Sequence, residues 1–288
     1  MSVSHALDAS QLFAILLRLA LLTVAIVSII RAFRKNSIYK GIMRAYRRGD
    51  YETALQITEA FRKNGQETRT YCFYRGAFAN ELGDTAQAET YLQRAVLLSD
   101  VEKGVDDRLK SLAHDALGES LMDANRYDEA LREFAMALRY WPTHGGTHRN
   151  MAEAWLRRGM HSAEALKLAR VAADEERTIS PLSSEVHRIN LSEAVSTLAW
   201  AIAAENRDRT EVDANVTEAL KLAGNTSVPT FARVRFYAGN AYAILGDRER
   251  SLQLFDEAAQ LDLRGRWGRA SRTKASELRG SGGRAAVS

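Results

Sequence analysis

The chain has one cysteine and three prolines in 288 residues, and no stretch in which β-branched residues alternate with polar ones. With Cys72 alone, neither an intramolecular disulfide nor a cysteine-ligated zinc site can form, which suits a reducing compartment. With so few prolines, and long stretches rich in Ala, Leu, Arg and Glu, the body is predicted to be helical nearly throughout. Long apolar runs are also scarce, which excludes a membrane-embedded bulk. The one exception opens the chain, in "LFAILLRLALLTVAIVSIIRAFRK", Leu12 to Lys35. At 46% hydrophobic and 26% charged, the remainder has the composition of a globular protein that can bury one long core or two ordinary ones.

Acidic charge is missing from both flanks. Residues 31–48 hold seven basic side chains (Arg31, Arg34, Lys35, Lys40, Arg44, Arg47, Arg48) and no acid, and residues 264–288 hold seven against Glu277 alone. The overall charge of +4 therefore leaves nine negative charges net on residues 49–263. A nucleic-acid binder needs its basic charge gathered on a folded face, so this acidic body argues against that class.

What the body does have is a repeat. "RRGDYETALQITEAF", "ELGDTAQAETYLQRAV" and "ILGDRERSLQLFDEAA" each place Gly-Asp at a turn. A small residue follows five positions after the glycine (Ala54, Ala88, Ser251), and a further residue comes seven later (Phe61, Ala95, Ala258). "DANRYDEALREFAMALRYWP" repeats the scheme with Ala130, Phe134 and Ala137. The pattern resembles the tetratricopeptide repeat (TPR) family, whose unit is a helix–turn–helix with small residues where the two helices cross. The resemblance implies an all-α, right-handed solenoid of about six units, near 35–68, 69–102, 111–144, 145–179, 193–226 and 232–265. At the first-helix crossing position stand Ile42, Gly76, Gly118, Ala152, Trp200 and Gly239, so units one and five depart from the pattern. The inserts 103–110 and 180–192 are predicted to lengthen connections without breaking the stack, or in the second case to mark a hinge. Packing explains the repeat: a small residue lets two helices approach closely, and one hairpin covers its apolar face only by stacking on the next.

Candidate chemistry is thin. His144 and His148 are spaced to meet on one helical turn, as metal ligands can. Yet Gly145 and Gly146 put them at an inter-repeat turn, and no carboxylate or cysteine completes a metal signature. Cys72 falls on a packed first-helix position and reads as a small buried hydrophobe. The Gly-Asp pairs mark turns between helices, not phosphate cradles. No catalysis, cofactor or metal is expected. The TPR resemblance instead implies a concave groove lined by first helices, whose positions here are Tyr39, Met43, Tyr46, Phe73, Ala77, Asn80, Asp115, Glu119, Met122, Arg149, Asn150, Glu153, Phe236 and Asn240. Of these, Tyr39, Tyr46, Phe73, Arg149, Asn150, Phe236 and Asn240 are the expected contacts to a protein or peptide partner. The Lys/Asn/Arg arrangement by which chaperone-binding relatives grip a C-terminal carboxylate is absent.

Leu12 to Ile30 spans 19 residues, about 28 Å as a helix, against a hydrocarbon core of about 30 Å. A transmembrane anchor over 12–30 is therefore expected, with Arg18 snorkelling to the interface. A cleaved signal peptide is disfavoured because Arg31, Arg34 and Lys35 follow the run instead of preceding it, and a helix docked on the solenoid because the run is apolar all round. The basic flank predicts a single-pass membrane protein with its C-terminal solenoid in the cytoplasm, as in a bacterial inner membrane, and the tail 266–288 is expected to be disordered. The sequence thus reads as a membrane-tethered TPR scaffold binding a partner in its groove, with a structural subunit acting through self-association or permanent packing as the alternative.

Overall fold

The computed structural model describes residues 36–62, 65–178, 184–224 and 226–284. Thirteen helices and no strand are found among them: α1 (36–47), α2 (Tyr51–Thr58, continued by a 3-10 turn Glu59–Phe61), α3 (Arg69–Leu82), α4 (Thr85–Val101), α5 (Asp107–Asp123), α6 (Tyr127–Tyr140), α7 (Gly145–Arg158), α8 (Ser162–Thr178), α9 (Glu185–Glu205), α10 (Arg209–Ala223), α11 (Val228–Ile244), α12 (Arg248–Leu261) and α13 (Arg266–Arg284). The first twelve form six hairpins, each packed on the next, and α13 packs on α11 and α12. This is an all-helical repeat solenoid.

The recurrent Gly-Asp has a local cause. Gly49, Gly83 and Gly246 adopt φ of 70°, 84° and 78°, a left-handed conformation costly for residues with a side chain. The aspartate that follows then caps the second helix: Asp50 accepts from the Thr53 amide, Asp84 from Gln87 and Asp247 from Arg250. Such a cap is worth about 1 kcal/mol. In the third hairpin Asn125 takes the left-handed place with φ 60°.

The crossings are equally specific. A Cβ on Gly118 would lie 2.5 Å from the Phe134 ring, one on Gly76 2.6 Å from Leu92, and one on Gly239 2.7 Å from Phe255. Glycine there lets a large side chain of the partner helix lie against bare backbone. Ala88, Ala130 and Ser251 are fully buried on the second helices of these hairpins, as are Ala54 and Ala165 on those of the first and fourth.

Three regions differ from the sequence expectation. Helix α9 begins at Glu185, so most of the insert 180–192 is helical, and Leu191 to Ala203 is buried without interruption. The tail expected to be disordered from 266 forms α13, because Trp267, Ser271 and Ala275 turn one buried face onto the stack. The membrane expectation is corrected as well. Among the described residues no helix is long and apolar enough to cross a membrane. The longest, α9, carries Glu185, Arg188, Glu193 and Glu205 in its 21 residues, and its apolar side chains from Leu191 to Ala203 are buried. The expected anchor 12–30 and the flank Arg31, Arg34 and Lys35 lie outside the described residues.

The stack curls until its ends meet. Tyr51 donates its hydroxyl to Asp262 at 3.0 Å, across 211 residues of sequence. Arg264 reaches Glu52 at 3.0 Å, Arg269 donates to the Glu81 carbonyl at 2.9 Å, and Arg47 pairs with Glu185 at 2.6 Å. The turn between α12 and α13 thus reaches the first hairpin, and α13 itself the second.

Candidate functional site

Curling encloses a cavity of about 350 Å³ on the concave side. Each odd-numbered helix contributes to it: Met43 and Tyr46 from α1, Phe73 to Glu81 from α3, Asp115 and Glu119 from α5, Arg149 from α7, Glu193 from α9, Arg233 from α11 and Arg266 from α13. On α3 the inward residues Tyr74, Ala77, Phe78 and Glu81 follow the i, i+3, i+4, i+7 spacing of one helical face. Tyr74 and Phe78 stack with centroids 6.0 Å apart, Phe73 meets Tyr74 edge-on at 5.3 Å, and Tyr46 lies 6.2 Å from Phe78. One side of the cavity is thus an aromatic wall.

The floor is a network of buried charges. Glu193 accepts from Arg149 and, at 2.6 Å, from Arg233. Arg266 donates to Glu119 at 2.5 Å and to Asp123 at 2.8 Å. Asp123 also accepts from Arg157 at 3.0 Å and from the Asn80 amide at 3.0 Å. Arg157 pairs with Glu153 at 2.6 Å, whose other oxygen accepts the Tyr237 hydroxyl at 2.5 Å. The Asn150 amide spans Asp115 and Glu119, each at 3.1 Å. Trp267 lies beside this network, with the guanidinium carbons of Arg233 and Arg266 each 4.5 Å from its ring centre, an arrangement that stabilises buried cations.

Burial and charge separate the carboxyls. Burial pushes Glu81 up to about 7 against the pull of Arg266 and Arg233, and pushes Asp115 up to about 6, helped by the nearby Glu119. Glu119 also loses solvent, but Arg266, Arg233 and Arg149 more than offset this and hold it well below the usual carboxylate range. His144 is pushed down to about 4, first by burial and then by Arg149, and is neutral near pH 7. One grouping resembles a hydroxyl–imidazole–carboxylate triad: Thr147 lies 2.7 Å from His144 and 2.8 Å from Asp115. Its polarity is wrong for catalysis. The threonine proton goes to Asp115, so His144 must donate to the hydroxyl and cannot serve as its base. Thr147 is also fully buried.

The residues expected to contact a partner are distributed unevenly. Tyr46, Phe73 and Arg149 line the cavity, and Asn150 braces its floor. Tyr39 packs outside it, against Phe61 and Tyr74 at 5.1 and 5.9 Å. Phe236 is buried beneath Trp267, 5.5 Å away, and the Asn240 amide turns back to the Phe236 carbonyl at 2.7 Å. Of the other groove positions, Met43, Ala77, Asn80, Asp115 and Glu119 line the cavity, while Met122 and Glu153 are buried. His144 and His148 diverge: the first stacks on Trp141 at 4.3 Å and the second pairs with Glu175 at 2.8 Å. Cys72 is fully buried, and burial pushes its thiol up to about 11. Sequence reasoning did not single out Glu81, Glu193, Arg233 or Arg266. A signal for the last lay in the spacing of Trp267, Ser271, Ala275 and Leu278, which share one helical face.

Residues 39–101 and 116–178 each match the tetratricopeptide repeat family. No curated protein matches the chain. Among solved structures, the apo form of RapI is 15% identical and similar over 85% of this chain and 97% of its own, with a TM-score of 0.52. BtubC from P. vanneervenii is 14% identical over 80% of this chain and 88% of its own, with a TM-score of 0.48. YrrB, a TPR protein with an unusual peptide-binding site, is 17% identical over 75% of this chain and 97% of its own, with a TM-score of 0.39. The RapI likeness speaks for the fold alone, and the other two add nothing to it.

Proposed function

We propose that this solenoid, with tetratricopeptide repeats over residues 39–101 and 116–178, is a non-catalytic binding module that takes a protein or peptide segment into its concave cavity. The observation that supports this reading most is the cavity itself. It has an aromatic wall beside buried charges that are held by one another and not by bulk water, the mixture of apolar surface and fixed polar groups that binding sites use. Its three guanidiniums are committed to carboxylates, and the Thr147–His144 contact runs in the non-catalytic direction.

The test is photo-crosslinking from the full chain in its native extract. A crosslinker replacing Phe73, on the cavity wall, is expected to capture a partner that the same group at Leu97 does not; Leu97 is 60% exposed outside the cavity. Equal capture from both positions would count against the cavity as the site. The alternative, a structural subunit that self-associates, draws on the exposed Leu97 and Val101 of α4 and Leu109 of α5. A monomer by light scattering would remove that reading.

A further inference from the structure

One buried carboxyl of the cavity is left without a hydrogen bond to its side chain. Four acids line it, Glu81, Asp115, Glu119 and Glu193, against three guanidiniums, Arg149, Arg233 and Arg266. Arg149 and Arg233 are taken by Glu193, and Arg266 by Glu119 and Asp123. Asp115 is held by Thr147 and Asn150. Glu81 remains: its Oε1 is 3.7 Å from Arg266 Nε, beyond hydrogen-bond length, and its Oε2 is buried with no hydrogen-bond partner. The residue is 7% exposed. Its neighbour Asn80, on the same lining and 5% exposed, also has a buried oxygen, Oδ1, without a donor.

A buried carboxyl with a loose ion pair and no hydrogen bond is costly, and its natural complement is a cation that donates one. An anionic ligand would have to break the arginine pairs first. The approach to Glu81 runs along α3 past Tyr74, Ala77 and Phe78, with Tyr46 beside it, an apolar path suited to a methylene chain. Resting on the peptide-binding reading above, we infer that the cavity receives a lysine side chain of the partner, its methylenes along the ring wall of α3 and its ammonium on Glu81. Specificity in this site therefore lies in a fourth cation that completes the set of three.

Two peptide pools test this against the full chain: heptapeptides randomised over all residues but lysine and arginine around a central lysine, and the same pool with norleucine at the centre. The methyl resonance of Met43, which lines the cavity, reports entry. The lysine pool is expected to shift that signal at concentrations at least tenfold lower than the norleucine pool. Glu81→Gln is expected to abolish the difference while the circular dichroism of the chain is unchanged. Equal shifts from both pools would overturn the inference and leave peptide binding standing. No shift from either would overturn both. A Met43 signal that moves only with the protein's own concentration would place a second copy of the chain in the cavity, and would also overturn it.

Discussion

Arginine and carboxylate side chains meet in two places in this protein, along the outer rim of the stack and on the cavity floor. On the rim, Arg170 reaches Glu211 at 3.3 Å and Arg177 reaches Glu218 at 3.2 Å, tying α8 to α10 with side chains 37–51% exposed. On the floor, the Arg149 and Glu193 side chains are each 7% exposed, and Arg266 is equally covered. Rim pairs sit in water, which screens them and already solvates both partners, so each is worth about 0–1 kcal/mol. Floor pairs have given up their water. Losing one partner there strands the other, at about 3–5 kcal/mol. The contrast shows that chemically identical pairs set local register outside and hold the closed shape inside.

Arg266→Ala is expected to break the comparison most severely. It strips Glu119 and Asp123 of a shared guanidinium and cuts the ion pairs that tie α13 to α5, so urea denaturation should report a loss of about 3–5 kcal/mol. A loss below about 1 kcal/mol would mean that the floor behaves like the rim. Glu193→Gln keeps the shape but removes the charge shared by Arg149 and Arg233, and should cost about 1.5–3 kcal/mol by the same measurement.

Glu81→Gln should act with the opposite sign and depend on pH. The carboxyl normally titrates near 4.5 but is pushed to about 7 when folded. Between those values the folded chain keeps a proton that the unfolded chain has released, so stability is lost as the pH rises through about 7 and is fully retained below about 4.5. The variant is expected to gain about 1–3 kcal/mol over the parent at pH 8 and clearly less at pH 5. A gain that does not change with pH would refute a buried Glu81 that lacks a hydrogen bond. Arg177→Ala, on the rim, should change stability by less than about 1 kcal/mol, and a larger effect would make the rim part of the closure.

The outer architecture was far more legible in the sequence than the floor, for a physical reason. Crossings obey a local rule, small residue against large at fixed spacing, so Gly118 facing Phe134 can be read from one segment alone. Trp200 occupies the matching place in α9 and looks like a violation until the tertiary contacts are known. Its ring stacks on Tyr237 at 5.9 Å and meets Phe236 edge-on at 6.3 Å, so it packs on the following hairpin. On the floor, Arg266 meets Glu119 across 147 positions and Tyr237 meets Glu153 across 84, separations that no periodicity encodes. Arg149 was legible as a groove residue because it lies on a first helix, whereas Arg266 was hidden in a segment rich in Gly, Ser and Arg. For the same reason Phe236 looks like groove surface in the repeat pattern. Its burial depends on Trp267, which folds back over it from beyond the last repeat.

The Tyr51–Asp262 contact bears on how the chain acquires its shape. Repeat stacks ordinarily grow from any point outward, each unit needing only its neighbours. Here the two ends are clasped across 211 residues, a contact whose loop must close before it contributes anything. The clasp is therefore expected to fasten last, after the intervening hairpins have set the curvature. Once fastened, it turns a chain of neighbours into a hoop, in which loosening any one hairpin strains all the others.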